Sequence, residues 1–410
     1  MTEFGPEIGM VIVGGGMAGA RACINLRAND YAGPITLISE EALLPYDRPP
    51  LSKSSITEEA EPQPVWLLDD SIIASLKVTL ILGSAVTSID RTAKSVALSN
   101  GRVLPYHKLL LATGAKPRRL SCPGGELALT LRDFKDAEVL RGKFQPGKRI
   151  AIIGGGFIGL ELASSAAKRG CMVFLVEAQP RILMRGVPEA IAQIVHDRHV
   201  AAGVEMIIGT GVASLSTAGV HLNNGRVVEA DTIIAGIGAS PEIKLAEAAG
   251  LAIDNGIACS AEMQSNDPDI YAAGDCASFI HHSFGNRRIR LEAWRSAQEQ
   301  AATAAENMLG GSKAHINLPW FWSDQYDLSL QVAGMPDMGP VTVSRHGADG
   351  ALVMFHLTET GHLIGASGIG VGNVFARDVK LAEMMIAKGI SPAPELLADP
   401  TVQLKALLKG

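Results

Sequence analysis

The stretch Val11-Ile12-Val13-Gly14-Gly15-Gly16-Met17-Ala18-Gly19 decides the fold of this chain, and it occurs a second time as Ile150-Ala151-Ile152-Ile153-Gly154-Gly155-Gly156-Phe157-Ile158-Gly159. Each copy follows an apolar run and opens a helical pattern, which is the strand-turn-helix setting of a dinucleotide-binding fold. One G-x-G-x-x-G match is weak evidence, but two copies in this setting predict two dinucleotide sites. That arrangement is typical of proteins that pass electrons from one cofactor to another.

Composition limits the class of protein and its partners. A chain of 410 residues is too long for one ordinary core, so two or three domains are expected. A net charge of −6 argues against nucleic acid as a partner. Residues 1–9 lack the basic start of a signal peptide, and no apolar run reaches the roughly 18 residues of a membrane span. We therefore expect a cytoplasmic protein with no membrane partner.

The 5 cysteines have no C-x-x-C spacing, so the sequence predicts neither a zinc site nor an iron–sulfur cluster, and no metal at all. The pair His281-His282 is interpreted as a polar loop pair, because no cysteine or carboxylate shares a ligand spacing with it. A reducing compartment suits such scattered thiols.

The first fingerprint gives each glycine a role. Gly14 permits the tight turn, Gly16 lets the backbone approach a pyrophosphate, and Gly19 lets the helix pack on the strand. The next strand, Ile35–Ser39, leads to Glu40, whose carboxylate can accept both ribose hydroxyl protons. The alternative is a glycine turn in another kind of α/β protein, with Glu40 simply facing solvent.

The second fingerprint repeats this logic with Gly154, Gly156 and Gly159, and its strand ends at Glu177. A carboxylate there favours NAD over NADP because it repels a 2′-phosphate. Arg181 and Arg185 follow closely and could serve a phosphate instead. Glu177 could also be an ordinary acid at a strand end.

Two further acids need partners. Glu161 lies in an apolar helix pattern, where it either faces solvent or is buried with a cation, for which Lys53 is the candidate. Asp275 follows Gly274 at a predicted strand-to-helix junction, where a helix N-terminus would stabilise its charge and where it could bind a sugar-alcohol hydroxyl. As a plain N-cap, Asp275 would need no cofactor.

Four segments carry a family resemblance: Pro45 to Lys53, Tyr271 to Asp275, Arg290 to Trp294, and Pro319 to Tyr326. Together with the two fingerprints they resemble the NADH-dependent ferredoxin reductases of bacterial oxygenase systems, within the FAD-dependent pyridine nucleotide–disulfide oxidoreductases. The resemblance implies an α/β fold with two Rossmann-like dinucleotide-binding domains, as in glutathione reductase, the second inserted in the first, plus a small α+β C-terminal domain. We expect an FAD-binding domain at 1–114 and 242–317, an NAD-binding domain at 115–241 and a C-terminal interface domain at 318–410.

The resemblance also implies site residues. FAD would contact residues drawn from most of the chain: Gly14, Gly16, Met17, Ala18, Gly19, Glu40, Arg48, Lys53, Val86, Ala112, Thr113, Gly114, Arg132, Gly274, Asp275, Glu292, Ala293, Trp294 and Trp322. NADH would lie on Gly154, Gly156, Phe157, Ile158, Gly159, Glu161, Glu177 and Gly238. Lys53 and Glu161 are the expected catalytic residues: Lys53 would stabilise negative charge on the reduced flavin, and Glu161 would hold Lys53 and the nicotinamide carboxamide in register.

A redox thiol pair is missing from the first helix, which holds only Cys23, and the loop at residues 42–47 has no cysteine. Electrons should therefore leave to an external acceptor, for which the resemblance implies a [2Fe–2S] ferredoxin. Alternatives are a rubredoxin reductase, an NADH oxidase, or an NADH-binding redox sensor like apoptosis-inducing factor. Basic residues that could steer a ferredoxin are Arg287, Arg288, Arg290 and Arg295, although they could equally be occupied by internal partners. The sequence leaves NADPH use and the oligomeric state open.

Overall fold

The computed structural model describes residues 8–347 and 350–408. Positions 1–7, on which the expectation of no signal peptide largely rests, lie outside the described residues. The first strands are β1 Gly9–Val13, β2 Ile35–Ile38, β3 Val78–Ile81, β4 Val86–Asp90, β5 Ser95–Leu98, β6 Val103–Leu111 and β7 Ala115–Pro117. The next are β8 Arg149–Ile153, β9 Met172–Glu177, β10 Glu205–Ile208, β11 Val212–Ser216, β12 Gly219–Leu222, β13 Val227–Glu229, β14 Thr232–Ala235, β15 Ala239–Pro241 and β16 Ile257–Cys259. The last are β17 Ile270–Ala272, β18 Ala277–His281, β19 Arg287–Ile289, β20 Trp320–Gln325, β21 Leu328–Gly334, β22 Val341–His346, β23 Leu352–Leu357 and β24 Leu363–Val371.

The helices are mostly short and separate these strands. They are α1 Met17–Ala28, α2 Ser54–Thr57, α3 Asp70–Leu76, α4 Phe134–Lys143, α5 Phe157–Lys168, α6 Glu189–Ala201, α7 Lys244–Ala248, α8 Trp294–Met308, α9 Ala376–Ala387, α10 Pro394–Ala398 and α11 Leu404–Leu407. In the part of the chain that the structure describes, no helix combines the length and the apolar character needed to cross a bilayer.

The chain divides into two compact units. Of the described residues, the first contains 8–47, 64–116 and 239–317, and the second contains 48–63, 117–238, 318–347 and 350–408. Residues 117–238 thus lie in the sequence between two parts of the first unit. The expected boundaries at 114, 241 and 317 stay predictions.

The first unit is built on a sheet in the order β3-β2-β1-β6-β5-β4, with β17 also paired to β6. Strand β1 lies parallel to β2 on one side and to β6 on the other, and all five of its residues are buried. Continuous burial of this kind is what a central parallel strand requires, and the apolar run before Gly14 supplies it. The carboxyl end of β1 therefore carries the first glycine turn to the middle of the sheet edge.

The second unit repeats the plan with a parallel sheet in the order β10-β9-β8-β14, where β8 lies between β9 and β14. It also contains an antiparallel sheet in the order β20-β21-β24-β23-β22. Helix α9 packs on this sheet through Val379, Ala382 and Met385, which share a buried cluster with Phe355. The predicted α/β class with two dinucleotide-binding folds is confirmed.

Two local predictions are wrong. Asp275 does not start a helix: Gly274 has φ +84°, the Ala277 N–H donates to the Gly274 carbonyl, and the chain continues as β18. The apolar residues after Asp275 complete a sheet between β16 and β19, and this pairing overrides the helical expectation. His281 is not a polar loop residue either, because it is fully buried against Phe284 at the end of β18.

Candidate functional site

The first glycine turn has two glycines that the fold requires and one that it does not. A Cβ on Gly14, whose φ is +121°, would lie 2.1 Å from the Ala112 carbonyl oxygen, and one on Gly19 would lie 1.9 Å from the Gly14 oxygen. A Cβ on Gly16 would meet nothing within 4 Å. Since Gly16 is also the N-cap of α1, the open space lies at the helix N-terminus, where the first N–H groups have no partner within a helix. The turn fits the pyrophosphate of a dinucleotide.

The expected neighbours of this turn lie at the same sheet edge or next to it. Ala112 and Thr113 follow β6 beside Gly14, and the Thr113 hydroxyl donates to the Glu242 carbonyl at 2.7 Å. Gly114 has φ +70° and its carbonyl accepts from the Glu242 N–H. Glu40 is exposed directly after the buried Ser39 that underlies Gly15. Glu40 is therefore open to a ribose near the turn.

Other predicted FAD-binding residues of the first unit also have defined neighbours. A Cβ on Gly274 would lie 3.2 Å from the Ala18 Cβ, so the loop bearing Asp275 meets the first turn of α1. Trp294 begins α8, and its indole Nε1 donates to the Asp47 carboxylate at 2.6 Å. The remaining members of the predicted set are also placed: Met17 is half-buried at the start of α1, Val86 begins β4 half-buried, Ala293 is the N-cap of α8, and Glu292 accepts from Arg290.

The second glycine turn shows the same division. A Cβ on Gly154, with φ +111°, would lie 2.5 Å from the Gly236 oxygen, and one on Gly159 would lie 2.0 Å from the Gly154 oxygen. A Cβ on Gly156 would find only the Gly236 oxygen, at 4.0 Å. Both turns therefore keep open backbone at the middle glycine, where the backbone of a dinucleotide fold approaches phosphate.

Glu177 is held against the second turn. Its Oε2 accepts the Gly155 N–H at 2.6 Å and its Oε1 accepts the Gln179 N–H at 2.7 Å. Arg181 donates hydrogen bonds to the carbonyls of its own loop at residues 182, 183 and 187. Arg185 is exposed, and its guanidinium lies 3.7 Å from the position of a Cβ on Gly238. A carboxylate rather than a cation is thus fixed at the strand end.

The predicted pair of Lys53 and Glu161 is observed within the second unit. The Lys53 Nζ lies 2.7 Å from Glu161 Oε2, with Glu161 buried to 5% exposure and Lys53 at 27%. The solvent-facing alternative for Glu161 is therefore excluded. Two serines complete the site: Ser52 Oγ donates to Oε2, and Ser323 Oγ donates to Oε1 at 2.7 Å.

Ser52 and Ser323 are the residues that sequence reasoning missed. Ser323 comes from β20 and Ser52 from the 3₁₀ turn Pro49–Ser52, far from Glu161 in the chain. Ser52 lies in the segment Pro45 to Lys53 that carries part of the family resemblance, but no periodicity predicts that a serine will bond a carboxylate on another element. A buried carboxylate needs donors, and only the fold identifies which hydroxyls supply them.

Three further predicted residues lie in the second unit. Arg48 donates to the Arg132 carbonyl, and the Arg132 N–H donates to Asp136 at 2.8 Å. Trp322 stacks on Trp320 with ring centroids 5.5 Å apart. Phe157, the first residue of α5, meets Phe321 edge-on at 5.1 Å, and the next residue, Ile158, is 45% exposed. Phe321 of this aromatic segment thus reaches the first turn of α5, next to the second glycine turn.

Most of the proposed steering arginines are internally paired. Arg288 donates to the Cys259 and Ser278 carbonyls, Arg290 to Glu292 and Arg295 to Glu299. Arg287 is exposed. The internal-partner interpretation therefore holds for three of the four. Within residues 8–347 and 350–408, no group of three histidine, cysteine or acidic side chains could hold a metal ion.

Comparison with known proteins agrees with this geometry. Over 408 residues the chain is 39% identical to the ferredoxin–NAD(+) reductase component of the anthranilate 1,2-dioxygenase system of Burkholderia cepacia, covering 97% of this chain and 98% of that protein. A rubredoxin–NAD(+) reductase of Pseudomonas putida is 40% identical over 79% of this chain and 86% of its own. The crystal structure of a covalent putidaredoxin reductase–putidaredoxin complex matches with a TM-score of 0.92 at 33% identity, over 99% of each chain.

Two family matches cover nearly the whole sequence. Residues 320–408 match the reductase C-terminal family. Residues 9–301 match the pyridine nucleotide-disulphide oxidoreductases, a span that includes both glycine turns and the Lys53–Glu161 pair. On these grounds the chain belongs to the pyridine nucleotide-disulphide oxidoreductase family.

Proposed function

We propose that this protein is an FAD-dependent NADH:ferredoxin reductase, which passes electrons from NADH to a [2Fe–2S] ferredoxin serving an oxygenase, either a cytochrome P450 or a Rieske dioxygenase. The observation that carries this conclusion is the state of the thiols. Cys23, the only cysteine of α1, is fully buried, and burial raises its pKa to about 12. Such a thiol is neither a nucleophile nor an electron acceptor for a flavin.

Three of the four remaining thiols are no better suited to redox exchange. Burial raises the pKa of Cys259 to about 12 and also raises that of Cys276 and Cys171. All five cysteines, Cys122 included, are free. A dinucleotide reductase without a reactive dithiol must deliver electrons to another molecule. Free thiols also support a reducing compartment, and we propose the cytoplasm as the location of the protein.

We assign FAD to the first glycine turn, with the open backbone at Gly16 for the pyrophosphate and Glu40 for the adenosine ribose. Asp275 and the start of α8 at Trp294 extend this set along the cofactor. When bound, FAD supplies the coupling between a two-electron donor and a one-electron acceptor. The further contacts implied for Arg48, Arg132 and Trp322 stay predictions.

We assign NADH to the second turn. Glu177 is fixed by the Gly155 and Gln179 N–H groups, and its free lone pairs can accept ribose hydroxyls while its charge repels a 2′-phosphate. Lys53 is the charged side chain of the reaction site. Glu161 holds it by an ion pair and keeps it from turning into solvent.

The test is a comparison of donors and acceptors with the FAD-loaded protein. Anaerobic mixing with NADH should bleach the flavin at catalytic rates, with NADPH slower. Reduction of cytochrome c through a [2Fe–2S] ferredoxin should exceed turnover with rubredoxin or oxygen. A faster rubredoxin reaction would favour the rubredoxin reductase, for which a 40% identical relative is known. Flavin bleaching far slower than turnover would favour a redox sensor.

The acceptor surface has its own test. Arg287 is exposed, so Arg287→Glu should raise the KM for the ferredoxin while leaving ferricyanide reduction by NADH unchanged. Arg102→Glu, at another exposed arginine, is the matched control. Equal KM values for both variants and the wild type would remove Arg287 from the docking surface.

A further inference from the structure

A chain of buried polar side chains runs away from Glu161 inside the second unit. Glu161 Oε1 is bonded to Ser323 Oγ at 2.7 Å, and Ser323 Oγ to Gln325 Nε2 at 3.2 Å. Gln325 Oε1 is bonded to His199 Nε2 at 2.8 Å, and His199 Nδ1 to the Tyr326 hydroxyl at 3.2 Å. The chain joins α5, the β20–β21 hairpin and α6. Nothing in the reaction described above accounts for it.

The chemistry of the groups fixes the direction of every bond. The Glu161 carboxylate accepts, so Ser323 donates, and the Ser323 oxygen accepts from the Gln325 amide. The Gln325 carbonyl oxygen remains as an acceptor, so His199 carries its proton on Nε2. Burial lowers the pKa of His199 to about 4, so the ring is neutral and Nδ1 accepts from Tyr326. Burial raises the pKa of Tyr326 to about 12, which keeps the phenol protonated.

All the donors therefore point the same way, toward Glu161. Hydrogen bonds aligned in one direction polarise and strengthen one another in a low-dielectric interior. Ser323, Gln325 and His199 are all buried, so water does not compete with these bonds. A reversal at one member would leave two donors or two acceptors facing each other, which is costly where no water can enter.

The conformation of the hairpin turn is a second observation that supports a role for this series of hydrogen bonds. Tyr326 is the first of the two turn residues between β20 and β21 and has φ +57°, a left-handed conformation that is strained for a residue with a side chain and favours glycine or asparagine. Three contacts offset this strain. The Tyr326 N–H donates to Ser164 Oγ at 3.0 Å, the Tyr326 ring meets His199 edge-on at 5.0 Å, and the Arg198 guanidinium lies 4.3 Å from the ring centroid.

We propose that Ser323, Gln325, His199 and Tyr326 are positioning residues that act through Glu161, by fixing its carboxylate so that Oε2 faces Lys53. This inference rests on the proposed function, in which the Lys53 ammonium group must be held for the reaction with NADH. Ser52 and Lys53 hold Oε2, and the bond from Ser323 fixes the second oxygen, Oε1, and with it the plane of the carboxylate. Without that tie the 27% exposed lysine can follow a rotated carboxylate or turn to solvent.

The first experiment tests the direction of the chain without any cofactor reaction. Long-range ¹H–¹⁵N NMR of histidine-labelled protein at neutral pH, with His199 assigned through a His199→Gln variant, should show the Nε2–H tautomer. In Gln325→Met the imidazole loses its acceptor, and its tautomers should become mixed. An Nδ1–H tautomer or a doubly protonated ring in the wild type would overturn the proposal.

The second experiment measures positioning. Ser323→Ala and Gln325→Met should lower the limiting rate of flavin reduction by NADH about tenfold, as loss of one buried hydrogen bond predicts, with NAD⁺ affinity changed less than about twofold. Ser323→Thr keeps the hydroxyl and should recover the rate. Ser329→Ala is the matched control, because Ser329 is a buried serine on β21 that donates to Asp324 and Asn373 and takes no part in the hydrogen-bond series from Tyr326 to Glu161.

The outcomes separate the inference from the function on which it rests. If NADH reduces the wild-type flavin and the Ser323→Ala and Gln325→Met variants are reduced at the same rate, the inference is overturned and the proposed function is not. Equal losses in rate and NAD⁺ affinity, or a loss shared by Ser329→Ala, also overturn it, because a purely structural role behaves that way. A wild-type protein that NADH does not reduce overturns the proposed function and this inference with it.

Discussion

Replacing Gly16 and Gly19 by alanine should separate cofactor binding from folding within one turn of chain. The Cβ of Gly16→Ala enters space with no atom within 4 Å, and the backbone there, with φ −86° and ψ −166°, suits any residue. The folded protein should thus lose no stability, and a Gly-to-Ala change at a compatible site gains about 0.4–1 kcal/mol. The new methyl group occupies the approach of the pyrophosphate, so FAD binding should weaken by at least about tenfold, or 1.4 kcal/mol.

Gly19→Ala is the contrasting variant. Its Cβ would lie 1.9 Å from the Gly14 carbonyl oxygen and 3.1 Å from a Leu37 methyl carbon, and the first contact is with backbone that cannot rotate away. Helix α1 must shift by roughly an ångström, which costs about 1–3 kcal/mol as overpacking does. This variant should melt lower even without FAD.

The assay is flavin content after purification, FAD titration by flavin fluorescence, and thermal unfolding of the apoprotein. A shift of about 2–4 °C per kcal/mol is expected for a unit of this size. Gly156→Ala and Gly159→Ala repeat the comparison in the second unit, where NAD⁺ affinity should fall for Gly156→Ala with FAD retained. Full FAD binding by Gly16→Ala, or an unchanged melting temperature for Gly19→Ala, would refute the reasoning.

Three further predictions concern stability. Lys53→Met should lower the free energy of unfolding by about 2–3 kcal/mol, because it leaves the buried Glu161 carboxylate without its cation. Glu161→Gln should lower it by only about 1 kcal/mol, since Lys53 can reach water. Urea titration followed by tryptophan fluorescence should show this order, and the reverse order would contradict it. Burial lowers the pKa of His356 from 6.5 to about 4, so the unfolded chain binds the proton more readily; the contribution of His356 to stability is complete above pH 6.5 and falls by about 3 kcal/mol as pH drops to 4. His199 has the same shift, so His356→Asn should make the fall in stability shallower by the His356 share without abolishing it, and an unchanged slope would exclude His356 as a contributor. Arg345 is buried and donates to the carbonyls of residues 397, 399, 400 and 402. Arg345→Met should therefore raise amide hydrogen exchange in this segment by about tenfold or more. Lys405→Met is the exposed control, and equal exchange rates in both variants would contradict this role of Arg345.

Local sequence pattern was sufficient where one segment carries the whole signal. Both glycine turns, the parallel strands before them and the acids Glu40 and Glu177 could be predicted because a strand, a turn and a helix follow each other directly in the chain. The missing thiol pair needed only the positions of five cysteines. The predicted family and the NAD-dependent reductase activity agree with the relatives found.

Prediction failed where a segment takes its structure from a distant partner. The residues after Asp275 form a strand because β16 and β19 offer hydrogen bonds to it, and no local pattern records those neighbours. Arg288 looked like a surface cation, yet its guanidinium serves two carbonyls of the first unit. A charged side chain's partners depend on which backbone groups are left unpaired after folding.

The sequence by itself determined that two dinucleotides bind, that the fold is α/β and that electrons leave the protein, because glycine spacing and the lack of a cysteine pair in the first helix are properties of the chain alone. Tertiary structure alone decided how Glu161 is used. Its helical pattern allowed burial or exposure equally, and the choice follows from Lys53, Ser52 and Ser323, which two separated segments bring to one carboxylate. Burying a charge is favourable only when all its donors arrive together, and folding alone brings them there.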